Sequence, residues 1–412
     1  MISDLVIIGG GASGFMGAIT AISNGLRSVV ILEGPPKVLE KVRISGGGRC
    51  NLTNSWWDIS DLVNNYPRGD KQLLGLFNRF STAEAFDWFQ NKGLDLKIEK
   101  DGRVFPRSDS SEDVIKCLTD VAKRSGVKVF TNSHVKKIII KKEGFNLLVK
   151  GNNSFEAKNI LICTGGHPSG RRLAKSLGHS IIQPVPSLFS LSTPENLLRS
   201  CSGVTLDVQI KLTVNKKKYT ETGSILITHK GFSGPVILRL SAFSARNLHA
   251  NKYQGELRIN WLCMTEYEVR SKLDLYKLEN GRKVVLNNKP FNNLPRSLWR
   301  ALLLSLNIDS QLKWADLSKY QKDSIVKCLI MKSFLINSRG PFGEEFVSAG
   351  GVSLKEINFK TMESKICESL FFAGEVLDID GITGGFNFQH CWTSAWVAAN
   401  AISAKQKKLT SL

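Results

Sequence analysis

The sequence predicts an α/β fold in which one domain is interrupted by an insertion. The chain begins with an apolar strand over Leu5–Ile8, a helix over Ser13–Asn24 and a second strand over Ser28–Leu32. Continuous β-branched runs such as Asn159–Thr164 indicate a parallel sheet that is covered on both faces. This alternation stops near residue 191 and returns near residue 347, which predicts a discontinuous domain.

This pattern predicts that the chain is divided into three domains. Residues 1–190 and 346–412 form the discontinuous α/β domain, residues 191–264 a β-rich insertion and residues 265–345 a small helical insertion. The supporting strand patterns cover residues 127–131, 136–140, 145–149, 204–214, 218–229 and 370–373. The supporting helical patterns cover residues 266–280, 296–305, 323–336 and 385–404.

Composition is typical of a globular protein, with 42% hydrophobic and 22% charged residues in a chain of 412. No apolar run reaches the roughly 18 residues of a membrane span, and the N-terminus lacks the basic region of a signal peptide. The eight cysteines have neither CxxC pairs nor metal-ligand spacing, so we expect reduced thiols and no metal site. These features favour a soluble, cytoplasmic protein.

The net charge of +20 is unevenly distributed. Residues 191–345 contain 24 Lys and Arg against 13 Asp and Glu, a net charge of +11, which leaves +9 for the other 257 residues. Charge of this size attracts polyanions. The insertion is therefore either an RNA-binding surface or a solubilising one.

The first strand runs into a GxGxxG turn formed by Gly9, Gly10, Gly11, Ala12, Ser13 and Gly14. In such a turn Gly9 permits the sharp bend, Gly11 lets a pyrophosphate approach the backbone, and Gly14 allows close helix packing. The phosphates of a dinucleotide would lie at the helix N-terminus. Glu33 ends the second strand, followed by Gly34, and would accept hydrogen bonds from ribose hydroxyls. A 2′-phosphate would be repelled there, so FAD and NAD remain while NADP is disfavoured.

The C-terminal part of the chain favours FAD. A strand at residues 370–373 ends in Gly374 and Glu375, and Gly384 and Gly385 precede a last helix that begins with Phe386. In flavoproteins with two dinucleotide-binding motifs, such an acid approaches the ribityl chain. The helix N-terminus then stabilises negative charge on the reduced flavin.

A loop rich in glycine completes the predicted cofactor site. Three glycines followed by Arg, Cys and Asn allow close approach to a planar ligand and offer hydrogen-bond donors. The residues expected to contact the cofactor are Lys41, Ser45, Gly46, Gly47, Arg49, Cys50 and Asn51 in or near this loop, together with Val135, Thr164, Gly165 and Gly166.

These motifs resemble the BaiN-like (YhiN-like) family of bacterial NAD(P)/FAD-dependent oxidoreductases, named after a hypothetical Haemophilus protein. The matching strings are GGGASG, ISGGGRCNLTN, GRVFPRS, ILICTGG, THKGFSGP, VSAGGVSLKEI, TMESK and FFAGEVLDIDGITGGFNFQ, which lie within residues 9–389. The resemblance implies a two-dinucleotide-binding-type FAD domain of Rossmann-like fold, carrying an inserted β-barrel and a small helical subdomain. In many members the segment after the ICTGG-like strand is longer than the short turn found here.

The resemblance also implies reduction of activated C=C bonds, with steroid enones and a uracil of ribosomal RNA as substrates in the family. Since no second GxGxxG has the right setting, we expect NAD(P)H to dock transiently as the reductant. The basic insertion favours ribosomal RNA and dihydrouridine formation. A small-molecule enone reductase and a non-catalytic flavoprotein that binds RNA or a protein partner are the alternatives.

A reduction of this kind needs a proton donor beside the hydride donor. Cys50 is the first candidate, because it lies in the glycine-rich loop, and His229 and His390 are the others. Each of the three residues could equally serve a structural role. The sequence leaves the oligomeric state open.

Overall fold

A computed structural model describes residues 2–151, 153–340 and 347–410. For residues 409 and 410 it describes the backbone but not the side chains. The chain divides into two compact units. The outer unit comprises Met1–Pro184 and Val347–Leu412, and the inserted unit comprises Val185–Phe346. The insertion thus begins six residues before the predicted position, and its predicted end at residues 345 and 346 lies outside the described residues.

A parallel sheet forms the centre of the outer unit. Its parallel strands, in spatial order, are Lys128–Phe130, Val29–Leu32, Ser3–Ile8, Ser154–Ile162 and Leu370–Phe372. Leu5 pairs with Val29 on one side and with Asn159 on the other, so the first strand is central. The predicted α/β class and parallel sheet are confirmed. Because the carboxyl ends of parallel strands meet at one edge, the turns after residues 8, 32, 162 and 372 lie together.

Antiparallel strands extend this sheet, and further strands form two smaller sheets. Val135–Ile140, Phe145–Val149, Ile357–Asn358 and Glu363–Ser364 join the main sheet. Thr53–Asn54, Leu96–Ile98 and Arg103–Pro106 form a three-stranded sheet, and Ile181–Ser187 pairs with Val347–Val352.

The helices of the outer unit are Ala12–Ser23, Glu40–Ile44, Ile59–Val63, Asp70–Phe77, Thr82–Asn91, Ser111–Arg124, Pro168–Ser176 and Phe386–Thr410. The first and last of these pack together, and Asn24 Nδ2 donates to Asn400 Oδ1 at 3.0 Å. The final helix buries Trp392, whose indole N–H donates to the carbonyl of Leu52 at 2.9 Å. Trp392 is therefore a core residue.

The inserted unit contains an antiparallel sheet of seven strands. They are Leu191–Ser192, Thr205–Val214, Lys217–Thr228, Gly231–Ser233, Gly255–Asn260, Lys332–Ile336 and Ser338–Arg339. The segment of residues 332–339 supplies both ends of the sheet, because its first part pairs with 255–260 and its second with 191–192. One continuous stretch of chain therefore closes the sheet into a barrel.

The helices of the inserted unit pack on this sheet. They are Pro235–Ala250, Glu266–Asn280, Arg296–Leu304 and Lys319–Met331. One apolar cluster contains side chains from both the strands and the helices, including Trp261, Trp299 and Trp314. The predicted helix over 323–336 is too long, because residues 332–336 pair as a strand with 255–260. The predicted helical piece therefore also contributes barrel strands.

Short 3₁₀ turns lie at Ser45–Gly48, Arg199–Cys201, Val285–Asn287, Leu354–Glu356 and Gly374–Val376. All eight cysteines are free thiols. Within the described residues, no helix combines the length and apolar character that crossing a membrane requires.

Candidate active site

The glycine-rich turn after the first strand is shaped partly by packing and partly by open space. Gly9 has a φ of +111°, and a Cβ there would lie 2.4 Å from the carbonyl oxygen of Cys163. A Cβ on Gly14 would lie 2.0 Å from the carbonyl oxygen of Gly9. Gly11 differs, since a Cβ there would meet nothing within 4 Å. Its open face, at the start of the helix that carries Ala12 and Ser13, suits close approach by a pyrophosphate.

Glu33 lies against this turn at the end of the second strand. Its carboxylate accepts a hydrogen bond from the backbone N–H of Gly10. Burial raises the pKa of Glu33, while N–H groups of Gly10 and Gly34 act in the opposite direction. A carboxylate fixed at this position can also accept hydrogen bonds from ribose hydroxyls.

The chain that follows strand Lys128–Phe130 lies beside Glu33. The backbone N–H of Ser133 donates to the carbonyl of Glu33 at 2.7 Å, and Val135 is buried two residues later. Next to it, His134 Nδ1 lies 3.2 Å from the position of a Cβ on Gly34. The structure therefore places Val135 near the acid that is predicted to hold the adenosine ribose.

A second group surrounds Glu375, which follows the fifth parallel strand. Lys41 Nζ contacts Glu375 Oε2 at 2.5 Å, and Ser348 donates its N–H to Glu375 Oε1 at 3.2 Å. A Cβ on Gly166 would lie 2.8 Å from Glu375 Oε1, so this glycine leaves room for the carboxylate. The structure thus brings Lys41, Glu375 and Gly166 together with the adjacent Gly165 and Thr164.

Gly374 connects this group to the first turn. It has a φ of +75°, and a Cβ there would lie 2.3 Å from Ser13 Oγ. Its N–H donates to the hydroxyl of Ser394 in the final helix at 2.9 Å. The N-terminal turn and the C-terminal strand are therefore parts of a single site.

The glycine-rich loop at Ser45–Gly48 has an open surface. Gly46, Gly47 and Gly48 have φ values of +57°, +68° and +85°, which side chains other than glycine rarely adopt. A Cβ on Gly47 or Gly48 would meet nothing within 4 Å. Ser45 holds the start of the loop by donating its hydroxyl to the carbonyl of Val42 at 2.8 Å.

Three polar side chains attach this loop to the beginning of the final helix. With its amide oriented to satisfy both partners, Asn51 donates to the Thr53 carbonyl and accepts from the Gly385 N–H, each at 3.0 Å. Asn54 Nδ2 donates to the Gly384 carbonyl at 3.0 Å. Thr53 Oγ1 donates to Gln389 Oε1 at 2.6 Å. The predicted loop and the predicted Gly384–Gly385 turn are therefore adjacent.

Phe386 begins the final helix with its side chain buried. Its carbonyl accepts a hydrogen bond from the Tyr66 hydroxyl at 2.6 Å, and its ring packs edge to face on Tyr66 and Trp56. A direct cofactor contact of Phe386 stays a prediction, whereas its role in holding the turn is visible.

The side chain of Arg49 contacts two acidic residues and an aromatic ring. Its guanidinium contacts Glu99 at 2.5 Å and Asp109 at 2.8 Å, and it lies 4.0 Å from the centroid of the Phe105 ring. Two acids and an aromatic face therefore hold the guanidinium, and a cofactor contact of Arg49 stays a prediction.

The three candidate proton donors occupy different environments. Cys50 is fully buried with a φ of +59°, and burial raises the pKa of its thiol to about 12. His390 is also buried, and burial lowers its pKa to about 3, so its imidazole is neutral near pH 7. Neither side chain is exposed to solvent, and a role of Cys50 or His390 as the proton donor stays a prediction. His229 is exposed in the inserted unit, in the turn after strand Lys217–Thr228.

An ion pair that sequence reasoning missed supports the turn before the final helix. Arg68 and Asp380 form a bidentate pair whose side chains are 10% and 0% exposed. Asn387 also binds this segment, donating to and accepting from Gly381 at 2.9 Å. Polar residues inside the motif DIDGITGGFNF were the available signal. Their partners could not be inferred, since Arg68 lies 312 residues from Asp380.

The sequence and the fold of the chain are similar to those of known proteins. The model of the family described as "HI0933-like protein Rossmann domain" matches residues 3–401. The chain belongs to this family. It is 29% identical to a 3-dehydro-bile acid delta(4,6)-reductase of Clostridium scindens, over 97% of this chain and 98% of the relative. It is 28% identical to a ribosomal RNA dihydrouridine synthase of Haemophilus influenzae, with the same coverage.

Solved structures support the fold. A 3-ketosteroid-delta4-(5alpha)-dehydrogenase of Rhodococcus jostii superposes with a TM-score of 0.52 at 12% identity, covering 97% of this chain and 96% of that one. A 3-ketosteroid delta1-dehydrogenase of Sterolibacterium denitrificans gives a TM-score of 0.53 at 12% identity, covering 98% and 99%. The family member described here is an FAD-dependent oxidoreductase, which removes the non-catalytic flavoprotein from the alternatives.

The residues present fit FAD. The open face at Gly11 suits the pyrophosphate, the fixed carboxylate of Glu33 suits the ribose, and the open face at Gly47 and Gly48 suits a planar ring. The N-terminus of the 25-residue final helix supplies a positive dipole end close to this loop. Bound FAD supplies hydride transfer, while the chain supplies the binding surfaces and the electrostatics.

Proposed function

We propose that this enzyme uses NAD(P)H to reduce the C5=C6 bond of a uracil base in ribosomal RNA, forming dihydrouridine. Two relatives named ribosomal RNA dihydrouridine synthase, at 28% and 25% identity over 97% of the chain, support this reaction class. A third relative, at 29% identity, is named as a 3-dehydro-bile acid delta(4,6)-reductase, a name that also indicates reduction of C=C bonds.

The chemistry of uracil suits such a site. Its C5=C6 bond is conjugated to the C4 carbonyl, so hydride adds at C6 and a proton is required at C5. Negative charge develops at the C4 oxygen, where a hydrogen-bond donor would stabilise it. The balanced reaction consumes one NAD(P)H and one proton for each uracil reduced.

The observation that carries the choice of RNA is the charge of the inserted unit. Its net charge is +11, and several of its acids are already paired, including Glu221 with Arg239 and Asp323 with Arg270. Lys216, Lys217 and Lys218 are exposed at the end of a hairpin and form no ion pair within the described part of the chain. Clustered lysines bind phosphates through counterion release, which a neutral enone cannot exploit.

We propose His229 as the donor of the C5 proton. Of the three candidates, it is the one with an exposed side chain, and it lies in the THKGFSGP motif beside Lys230. An exposed side chain is accessible to solvent and to a substrate, as a proton donor must be.

The decisive experiment separates the two half-reactions. The flavin is first reduced anaerobically with NADH or NADPH, then reoxidised with unmodified ribosomal RNA over a range of salt concentrations. We expect reoxidation by RNA that weakens with salt. A triple variant, Lys216→Gln with Lys217→Gln and Lys218→Gln, should lower the slope of log affinity against log salt by about 3.

The matched control removes the same charge from the outer unit. Lys136, Lys137 and Lys142 are exposed, and their triple replacement by Gln should leave the salt slope almost unchanged. Equal effects of the two triple variants would show that only total charge matters. Full dihydrouridine content in the ribosomal RNA of a deletion strain would overturn the proposal.

A second candidate is a small-molecule enone reductase, favoured by the relative named for a bile-acid reductase. It predicts fast NAD(P)H oxidation with a free steroid enone. It also predicts turnover that is insensitive to salt and to all six lysine replacements.

A further inference from the structure

Two consecutive tryptophans follow the glycine-rich loop with their side chains in solvent. Trp56 is 42% exposed and Trp57 is 47% exposed. Single exposed apolar residues are common on protein surfaces, whereas large aromatic side chains grouped beside a functional site mark a contact surface. The two residues differ in what fixes them and in what they touch.

The backbone of Trp56 is fixed on both sides. Its N–H donates to Asn54 Oδ1 at 3.1 Å, and its carbonyl accepts from Thr82 Oγ1 at 2.8 Å. Asn54 and Thr82 are both buried. The indole is therefore presented from a rigid position, and binding a partner costs little conformational entropy.

The same asparagine connects Trp56 to the candidate active site. Asn54 Nδ2 donates to the carbonyl of Gly384, the first glycine of the turn before the final helix. The Trp56 ring also packs edge to face on Phe386, with 6.2 Å between ring centroids. Trp56 therefore lies at the rim of the turn that is proposed to hold the flavin.

Gly102, in the motif GRVFPRS, makes room for this arrangement. It has a φ of +83°, and its carbonyl accepts the Ser55 N–H at 2.7 Å. A Cβ there would lie 3.2 Å from Asn54 Oδ1 and 3.5 Å from Trp56 Cδ1. The glycine thus allows a tight turn to support the exposed indole.

We infer that Trp56 stacks on an unpaired nucleobase of the RNA substrate and holds it at the rim of the active site. This inference rests on the proposed function. Enzymes that act on a base must take it out of the helix, and aromatic side chains receive unstacked bases because every base offers a π face. Trp57 supplies a natural control, since its ring packs on Phe86 rather than Phe386.

The experiment compares Trp56→Ala, Trp56→Phe and Trp57→Ala in the FAD-loaded enzyme. Binding of a fluorescently labelled single-stranded uridine oligomer is measured by anisotropy, and turnover is measured with ribosomal RNA. Trp56→Ala should weaken binding and raise KM about tenfold with little change in kcat. Trp56→Phe should recover most of the affinity, and Trp57→Ala should behave like the wild type. Flavin content and the rate of flavin reduction by NAD(P)H should be unchanged in all three.

The outcomes separate this inference from the proposed function. If the wild type binds the oligomer through Trp56 but reduces no uridine, the proposed reaction fails and the stacking role stands. If the wild type reduces ribosomal RNA and Trp56→Ala keeps its KM and affinity, the stacking role is overturned. Equal losses in Trp56→Ala and Trp57→Ala, or no oligomer binding by the wild type, would also overturn it.

Discussion

The two glycine-rich segments of the outer unit use glycine for different reasons. At Gly9 and Gly14 a Cβ would lie within 2.4 Å and 2.0 Å of backbone carbonyl oxygens, so packing of the fold demands glycine. At Gly47 and Gly48 a Cβ would meet nothing within 4 Å, although both have positive φ. The glycines of the first segment mainly allow close packing of the backbone, and those of the second form an open surface that a ligand can approach.

Gly11 belongs to the open class although it lies inside the packed segment. The comparison therefore teaches that a GxGxxG motif mixes two requirements, and that geometry at each glycine separates them. Substitutions at packed glycines should lower the free energy of unfolding, whereas substitutions at open ones should change cofactor affinity.

Gly14→Ala should have the largest effect. Its Cβ would overlap the Gly9 carbonyl, and we expect the free energy of unfolding to fall by at least about 3 kcal/mol with loss of bound FAD. Urea denaturation followed by tryptophan fluorescence measures this change. Gly75→Ala is the control, because its helix position is open and the substitution should stabilise by up to about 1 kcal/mol. A stable, FAD-loaded Gly14→Ala protein would contradict the packing argument.

Asp380→Asn tests whether the open segment depends on the turn to which it is attached. The substitution removes the buried carboxylate charge that Arg68 contacts, and we expect a loss of about 3 kcal/mol of stability. Asp101→Asn removes the exposed pair with Arg103 and should cost less than about 1 kcal/mol. If thermal or urea unfolding shows equal losses for the two variants, the buried pair does not anchor the turn.

Gly11→Ala should separate affinity from stability. With a φ of −91° and open surroundings, the apo protein should keep its free energy of unfolding within about 0.5 kcal/mol. The added methyl would meet the pyrophosphate, so the Kd for FAD should rise at least about tenfold. Titration followed by flavin fluorescence checks this, with Gly75→Ala expected to bind like the wild type. Unchanged affinity would remove Gly11 from the phosphate site.

The smallest expected effect is a pH dependence from His390, which lies on the final helix, to which the open segment is attached. Burial lowers the pKa of His390 to about 3, whereas an unfolded histidine titrates near 6.5. The unfolded chain therefore binds the proton first, and stability falls as pH drops below about 6.5. From pH 7 to 5.5 the contribution is about 1 kcal/mol. Urea titrations of wild type and His390→Gln should differ in this slope, and parallel pH profiles would contradict it.

The parts of the site that follow local rules were predictable from the sequence. The spacing of Gly9, Gly11 and Gly14 after an apolar strand indicated the first turn, and Glu33 followed from the end of the next strand. Contacts that join distant segments were not predictable. Nothing in the local sequence pairs Asn54 with Gly384, 330 residues away, and nothing showed that Glu99 and Asp109 would hold Arg49.

The wrong helix boundary predicted in the insertion also results from pairing between distant segments. Residues 323–336 have helical spacing of apolar side chains, yet the helix ends at Met331 and the next five residues pair with 255–260. A short apolar run is compatible with either state, and the available strand edge decides between them. Tertiary pairing therefore overrides local preference where the barrel closes.

The contact between Ser13 and Gly374 has a consequence for biosynthesis. During translation the first turn leaves the ribosome before the inserted unit, whereas the strand and helix that carry the rest of the predicted cofactor site emerge after it. A nascent chain that has displayed Gly9 to Gly14 still lacks Glu375, Gly384 and the final helix. We therefore expect FAD to bind only after the inserted unit has been synthesised.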